Sequence, residues 1–381
     1  LRKAIRPYIV EETRPEERIE RMSNVVLKAE DLDGYLREED KSSIERMDQL
    51  YERALESSRV LSTSQNENRL KTEKQKLIDL YGEMGDVMQE VTGAERAIRV
   101  YSFETPRTVH GEASRLIAKL RDVRTQHHEF IYYVQRAYEL LFNLAYAGPE
   151  SNKKNHLIVK TPVDIPVQNY AVHKIPDIDE ELENTVMCVM LRGALLPSMI
   201  MSKEIQEYSS TGFVTPFALF SIKRDDSKSE ENMEYILDLH RSYFDLEELH
   251  GKDLIFADPM NATGGSLVTI ITYLKQRGVA PRSVKFFNAI SALKGSLRII
   301  RAVENASVFT LWMDPSLNHK AYIMPGLGDA GDRLNGTNGH DRPRDIIQLI
   351  ADYGSTIANL YRSQVRKIEE TVLAIGRDSQ R

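Results

Sequence analysis

The stretch LIFADPMNATGGSLVT, residues 254–269, decides how this chain is read. An apolar run ends at Asp258, glycines follow at 264 and 265, and a helix-like pattern starts near Ser266. Paired glycines are costly inside regular structure, so a close approach to the backbone is expected there. Unpaired N–H groups at a helix N-terminus carry partial positive charge and bind phosphate. Gly264 and Gly265 would let an anion reach that backbone, and Thr263 and Ser266 would add hydroxyl donors. Asp258 would end a strand on the side where open α/β sheets bind ligands. The plainer reading is a glycine-rich turn with Ser266 as an ordinary N-cap. The spacing is not that of a Walker loop.

The surroundings read as α/β. Beyond Gly148 the apolar runs TVMCVMLRG (185–193), FALFSIKR (217–224), DLIFAD (253–258), SVKFFNAISA (283–292) and SVFTLWMD (307–314) alternate with helical patterns such as GSLVTIITYLKQRG (265–278). This predicts βαβ units and a mainly parallel sheet flanked by helices. Residues 1–104 are charged and rich in helix formers. Ile19, Met22, Val26 and Ala29 fall at helical spacing. Ser42 and Glu45 offer a capping box for a second helix, and Leu70, Leu77, Met84 and Val91 mark a third. The expectation is an all-helical region with a turn at 62–68. After Pro343, Ile346, Ile350, Tyr353, Ile357, Leu360 and Ile368 share one helical face. The chain divides on this reading into a helical extension (1–104), an α/β domain (105–340) and a C-terminal helical extension (341–381).

Composition narrows the class. The chain has 381 residues, 41% hydrophobic and 28% charged, with net charge −6. That is globular, with no basic field to indicate nucleic acid. Its one cysteine, Cys188, lies inside TVMCVML and reads as a small buried hydrophobe in a reducing, cytoplasmic setting. No apolar run reaches the roughly 18–20 residues of a membrane helix. The histidines lack zinc-ligand spacing, so no metal site is expected. Glu230–Glu231 and Asp225–Asp226 read as solvated loop charge rather than acid/base pairs.

Two further turns stand out. AYIMPGLGDAGDRLNGT (321–337) packs four glycines, a proline and two aspartates into a rigid loop whose backbone groups are candidate recognition elements. In MLRGALLPS (190–198), Arg192 follows a strand directly, and an arginine there can pair with phosphate oxygens. Taken alone, it reads as a surface ion pair.

Together the three turns resemble the uracil phosphoribosyltransferase family, of the type I phosphoribosyltransferase fold. DPMNATGGS (258–266) is similar to the family's phosphoribosyl-diphosphate (PRPP) signature, usually DPMLATGGS. YIMPGLGDAGDRLNGT resembles its uracil loop, and LRGA its LRAG diphosphate loop. The resemblance spans about residues 120–338. It implies that Arg192 contacts the diphosphate, that Asp258 holds the ribose hydroxyls, and that Ala262, Thr263, Gly264, Gly265 and Ser266 hold the 5′-phosphate. Pro259, Met260 and Asn261 belong to the same PRPP-binding stretch. Ile323, Gly328 and Ala330 would read uracil through the backbone, with Asp329 between base and PRPP. Arg224, in SIKRDD, resembles the arginine of the family's arm. Arg192, Asp258 and Asp329 are the implied catalytic set, Mg²⁺ enters with PRPP, and a homo-oligomer is implied.

The sequence departs from the family pattern at Asn261, where leucine is usual, at Asn335, where phenylalanine is usual, in WMDPSLN, and in the arm KRDDSKSEEN. These departures motivate an alternative: a PRPP- or nucleotide-binding regulatory subunit that acts through its helical extensions, with a protein partner on 1–104.

Overall fold

A computed structural model of the chain describes residues 24–104, 107–146, 154–162, 170–335 and 365–374. Strand β1 (Asn24–Lys28) precedes two long helices, Glu38–Thr63 and Glu67–Gly93, and β2 (Ile98–Val100) follows them. An antiparallel hairpin of β3 (Lys154–Lys160) and β4 (Tyr170–Pro176) stands apart from the main sheet. The central strands are β5 (Thr185–Leu191), β6 (Phe217–Arg224), β7 (Glu234–Tyr243), β8 (Asp253–Ala257), β9 (Met260–Asn261), β10 (Ser283–Ala292) and β11 (Ala306–Asp314). The sheet order is β1-β7-β6-β5-β8-β10-β11-β2, with β9 beside β10.

The sheet is mainly parallel, as the alternation predicted. β6, β5, β8, β10, β11 and β2 run in one direction; at one edge β7 runs antiparallel to β6, and β1 beyond it antiparallel to β7. Every residue of β8 is buried, and β5 is buried up to its last residue. Such runs are expected of parallel strands covered on both faces. Helices Arg107–Arg121, His127–Tyr146 and Leu195–Tyr208 pack together, and His127–Tyr146 lies on β10 and β11. Helices Gly265–Gln276 and Leu293–Ala302 pack together, and the former covers β1, β6 and β7. This is the type I phosphoribosyltransferase architecture. Among the described residues no helix is long and apolar enough to cross a membrane.

The N-terminal region is mostly helical, but it is not all-helical. Val26, expected on a helix with Ile19, Met22 and Ala29, lies in β1 and pairs with Ile236 of β7. Val25 and Val26 are β-branched, and β7 offers an open edge with unpaired backbone groups. Ile19 and Met22 lie outside the described residues. β2 closes the opposite edge against β11. The second helix also starts five residues earlier than an N-cap at Ser42 predicted, with Arg37 at the N-cap. Its N-terminus is served by Asp40, whose carboxylate accepts from the Arg37 N–H at 2.9 Å, behind an acidic first turn of Glu38, Glu39 and Asp40. Asn66 caps the third by accepting from the Arg69 N–H.

The two long helices bury Met47, Leu50, Tyr51 and Ala54 against Leu80, Met84, Val87 and Met88. That apolar cluster also takes in Leu293 and Leu297 of the helix Leu293–Ala302, together with Met313 of β11. The extension is thereby seated on the helix that lies beside the glycine turn. Residues 365–374 are helical, and Ile368 and Val372 join the main core. Ile346, Ile350, Tyr353, Ile357 and Leu360 lie outside the described residues.

Candidate active site

A cavity of about 800 Å³ opens at the carboxyl ends of β5 and β8. Its wall includes Arg192 and Gly193 after β5, Arg224 at the end of β6, all of Asp258–Leu267, and Ile323, Asp329 and Ala330. The three turns singled out in the sequence therefore meet around one space.

The glycine turn is built from close backbone packing. Gly264 has φ +75°, a left-handed conformation that favours glycine. A Cβ on Gly264 would stand 2.8 Å from the Gly295 carbonyl oxygen. Gly295 in turn packs on Ala262, where a Cβ would meet the carbonyl oxygen at 2.4 Å. The helix Leu293–Ala302 thus supports the loop from behind, while the first turn of the helix Gly265–Gln276 faces the cavity.

Asp258 Oδ1 accepts from the Met260 N–H at 3.0 Å. Burial pushes the Asp258 pKa up to about 7; the Met260 N–H opposes that rise and the Asp329 carboxylate adds to it. Asn261, on the cavity wall, is only 2% exposed, and its amide donates to Ser291 Oγ at 2.8 Å. Ser291 Oγ is in turn 2.6 Å from Ser296 Oγ. At this position a buried asparagine amide joined to Ser291 and Ser296 stands where the family pattern has leucine, with its Oδ1 unpartnered among the described residues.

The loop after β11 is anchored by Asp314. Its carboxylate accepts from the Gly326 N–H at 3.0 Å and from Arg121 at 2.5 Å. The short strands β12 (Ser316–Leu317) and β13 (Ile323–Met324) bring Ile323 to the cavity. Asp329 Oδ1 accepts from the Asp332 N–H at 2.9 Å. Asp332 is raised by burial and then by the Asp329 charge, and Arg192 pulls it the other way. A Cβ on Gly193 would stand 3.6 Å from the Gly331 Cα, so the arginine turn and this loop lie side by side.

Two further residues of the sequence reading take these positions. Gly328 has φ +78° and lies beside the cavity wall, and a Cβ there would meet only the Arg333 side chain, at 3.9 Å. Arg224 lines the cavity but is turned onto this loop: Nε donates to Asp226 at 2.8 Å, Nη1 donates to the Ala321 carbonyl at 3.3 Å, and the guanidinium lies 4.5 Å from the Tyr322 ring. Sequence reasoning missed Lys223, Tyr235 and Arg241 on the wall. The available signal was the alternation of Met233, Tyr235 and Leu237, all buried on one face of the segment that forms β7.

A mainly parallel sheet with a glycine cradle, a strand-end arginine and an anchored glycine loop around one cavity is the arrangement of the type I phosphoribosyltransferase fold. The family described as uracil phosphoribosyltransferase matches residues 108–337, and the chain belongs to that family. The uracil phosphoribosyltransferase of Streptococcus mutans is 41% identical over 112 residues, which are 29% of this chain and 50% of that protein. The corresponding protein of Staphylococcus carnosus gives the same figures. The chain thus spans about half the length of these relatives. Among solved structures, the AQ2163 protein of Aquifex aeolicus aligns with 64% of this chain and 100% of its own, at 23% identity and a TM-score of 0.44.

Proposed function

We propose that the chain transfers the phosphoribosyl group of PRPP to uracil, giving UMP and diphosphate. The observation that carries this reading is the convergence of Arg192, the Ala262–Ser266 turn and the Ile323–Ala330 loop on one cavity. Uracil N1 bonds to ribose C1, the bond from C1 to the diphosphate oxygen breaks with its electron pair leaving on diphosphate, and the N1 proton passes to solvent. Arg192 stabilises the charge that grows on diphosphate, and the helix N-terminus at Gly265 holds the 5′-phosphate. Asp258 holds the ribose hydroxyls, and the backbone near Asp329 and Ala330 fixes the base, so that much of the rate comes from positioning. Mg²⁺ enters with PRPP as part of the substrate. Among the described residues no three His, Cys, Asp or Glu gather to hold an ion by themselves, while Asp258 and Asp329 offer hard oxygen donors on the wall.

The helical extension is proposed to brace the site, since it buries Leu293 and Leu297 of the helix that supports the glycine turn. Equilibrium binding of PRPP to Arg192→Ala tests the site. Charge-assisted hydrogen bonds are worth about 1.5–3 kcal/mol, so a loss of about 10- to 150-fold is expected. Unchanged affinity would remove Arg192 from the diphosphate site.

A further inference from the structure

We propose that Tyr235 is a positioning residue of the phosphate cradle, holding the Thr263 hydroxyl so that its proton is directed at the ligand. The inference rests on the phosphoribosyl reading above and concerns a residue outside the three turns that define it. Tyr235 lies on β7 opposite Arg224 and is 2% exposed. Its ring lies against Gly265, where a Cβ would stand 2.2 Å from ring carbons. The second glycine of the turn is therefore required by the tyrosine packed on it, whereas Gly264 is required by its backbone conformation.

The Tyr235 hydroxyl donates to Thr263 Oγ1 at 2.6 Å, and the Gly265 N–H donates to the same oxygen at 3.3 Å. A threonine hydroxyl has two lone pairs and one proton. With both lone pairs engaged, the proton remains for a third partner, and Thr263 lines the cavity. Burial raises the Tyr235 pKa further above its ordinary value, so the phenol keeps the proton it donates. Removing the phenol oxygen would leave the Thr263 hydroxyl free to rotate and to spend its proton elsewhere.

Tyr235→Phe keeps the ring against Gly265 and removes only the O–H. Binding of ribose 5-phosphate by calorimetry reads the cradle without requiring turnover, and steady-state kinetics reads its consequence. Ribose 5-phosphate affinity should weaken about 2- to 10-fold, the worth of one neutral hydrogen bond. KM for PRPP should rise in step, with kcat and the KM for uracil unchanged. Thr263→Val should lose at least as much, and the double variant no more than Thr263→Val alone, because both changes remove one arrangement. A purely structural tyrosine would leave Tyr235→Phe silent. Wild-type protein that binds ribose 5-phosphate while Tyr235→Phe binds it equally, or additive losses in the double variant, overturns this inference alone. Wild-type protein that binds neither PRPP nor ribose 5-phosphate overturns the site reading and this inference with it.

Discussion

Asp33 and Arg298 are joined by two hydrogen bonds, from Nε at 2.9 Å and Nη2 at 2.5 Å, across 265 positions of sequence. Arg298 is fully buried, and its Nη1 lies 3.1 Å from Glu230 in the segment between β6 and β7. One guanidinium thus connects the N-terminal segment, the helix behind the glycine turn, and the segment that leads to Tyr235. Removing one partner of a fully buried ion pair costs about 3–5 kcal/mol, but Asp33 is 41% exposed and Glu230 keeps Lys294, so a cost nearer that of charge-assisted hydrogen bonds, about 1.5–3 kcal/mol, is expected here. Arg298→Ala should lose stability of that order in denaturant melts. A loss below about 1 kcal/mol would mean that the contact is incidental.

Deleting residues 1–104 should do more than remove a docking arm. It strips the cover from Leu293, Leu297 and Met313 and removes β1 and β2 from both sheet edges. Exposed strand edges and an open apolar cluster favour aggregation. The shortened protein is expected to be insoluble, or soluble with PRPP binding lost. A soluble fragment that binds PRPP like the full chain would show that the extension is dispensable to the site.

Gly326 and Gly328 should respond differently to alanine. Gly326 has φ +63°, and a Cβ there would stand 2.2 Å from the Ile323 carbonyl oxygen, which is backbone and cannot swing away. Gly328 has φ +78° with near-open space. Gly326→Ala is expected to raise the KM for uracil at least 10-fold or to unfold the loop. Gly328→Ala should carry mainly the backbone cost, about 1–2 kcal/mol of stability, with uracil use retained. The reverse ranking, measured by uracil kinetics, would place the base on the Gly328 side.

Asp258 should give a pH signature in stability. Its folded pKa is pushed up to about 7, against an ordinary value of 3.8. Between those values the unfolded chain has released a proton that the folded protein keeps, so this group's contribution to stability falls as pH rises through the window and levels off above it. Asp258→Asn removes that loss. The variant should be more stable than wild type at pH 8 by about 1–2 kcal/mol, with the difference closing toward pH 4. A difference independent of pH would mean that the carboxylate is not held above its usual range.

Much of this site was legible because its chemistry is local. Gly264, Thr263 and Asp258 fall within seven residues, and a strand–glycine–helix transition has few physical explanations. The buried runs of β5, β8 and β10 were equally plain, since strands covered on both faces leave continuous apolar sequence. β1 and β2 were not legible: they are three to five residues long, and their partners β7 and β11 are over 200 positions away. The same holds for Asn261, whose amide is explained only by Ser291 and Ser296, and for Tyr235, whose ring is explained only by Gly265. Arg224 resembled an arm residue by its position; it lines the cavity, and its contacts with Asp226 of the same segment and with Tyr322 could not be read from the sequence.

Transfer is measured most directly by the conversion of labelled uracil by the full chain supplied with PRPP and Mg²⁺. UMP and diphosphate are expected in equal amounts, dependent on PRPP and on uracil. PRPP bound at the cavity with no UMP formed, under conditions in which a bacterial uracil phosphoribosyltransferase turns over, would contradict it and would make the protein a binding subunit.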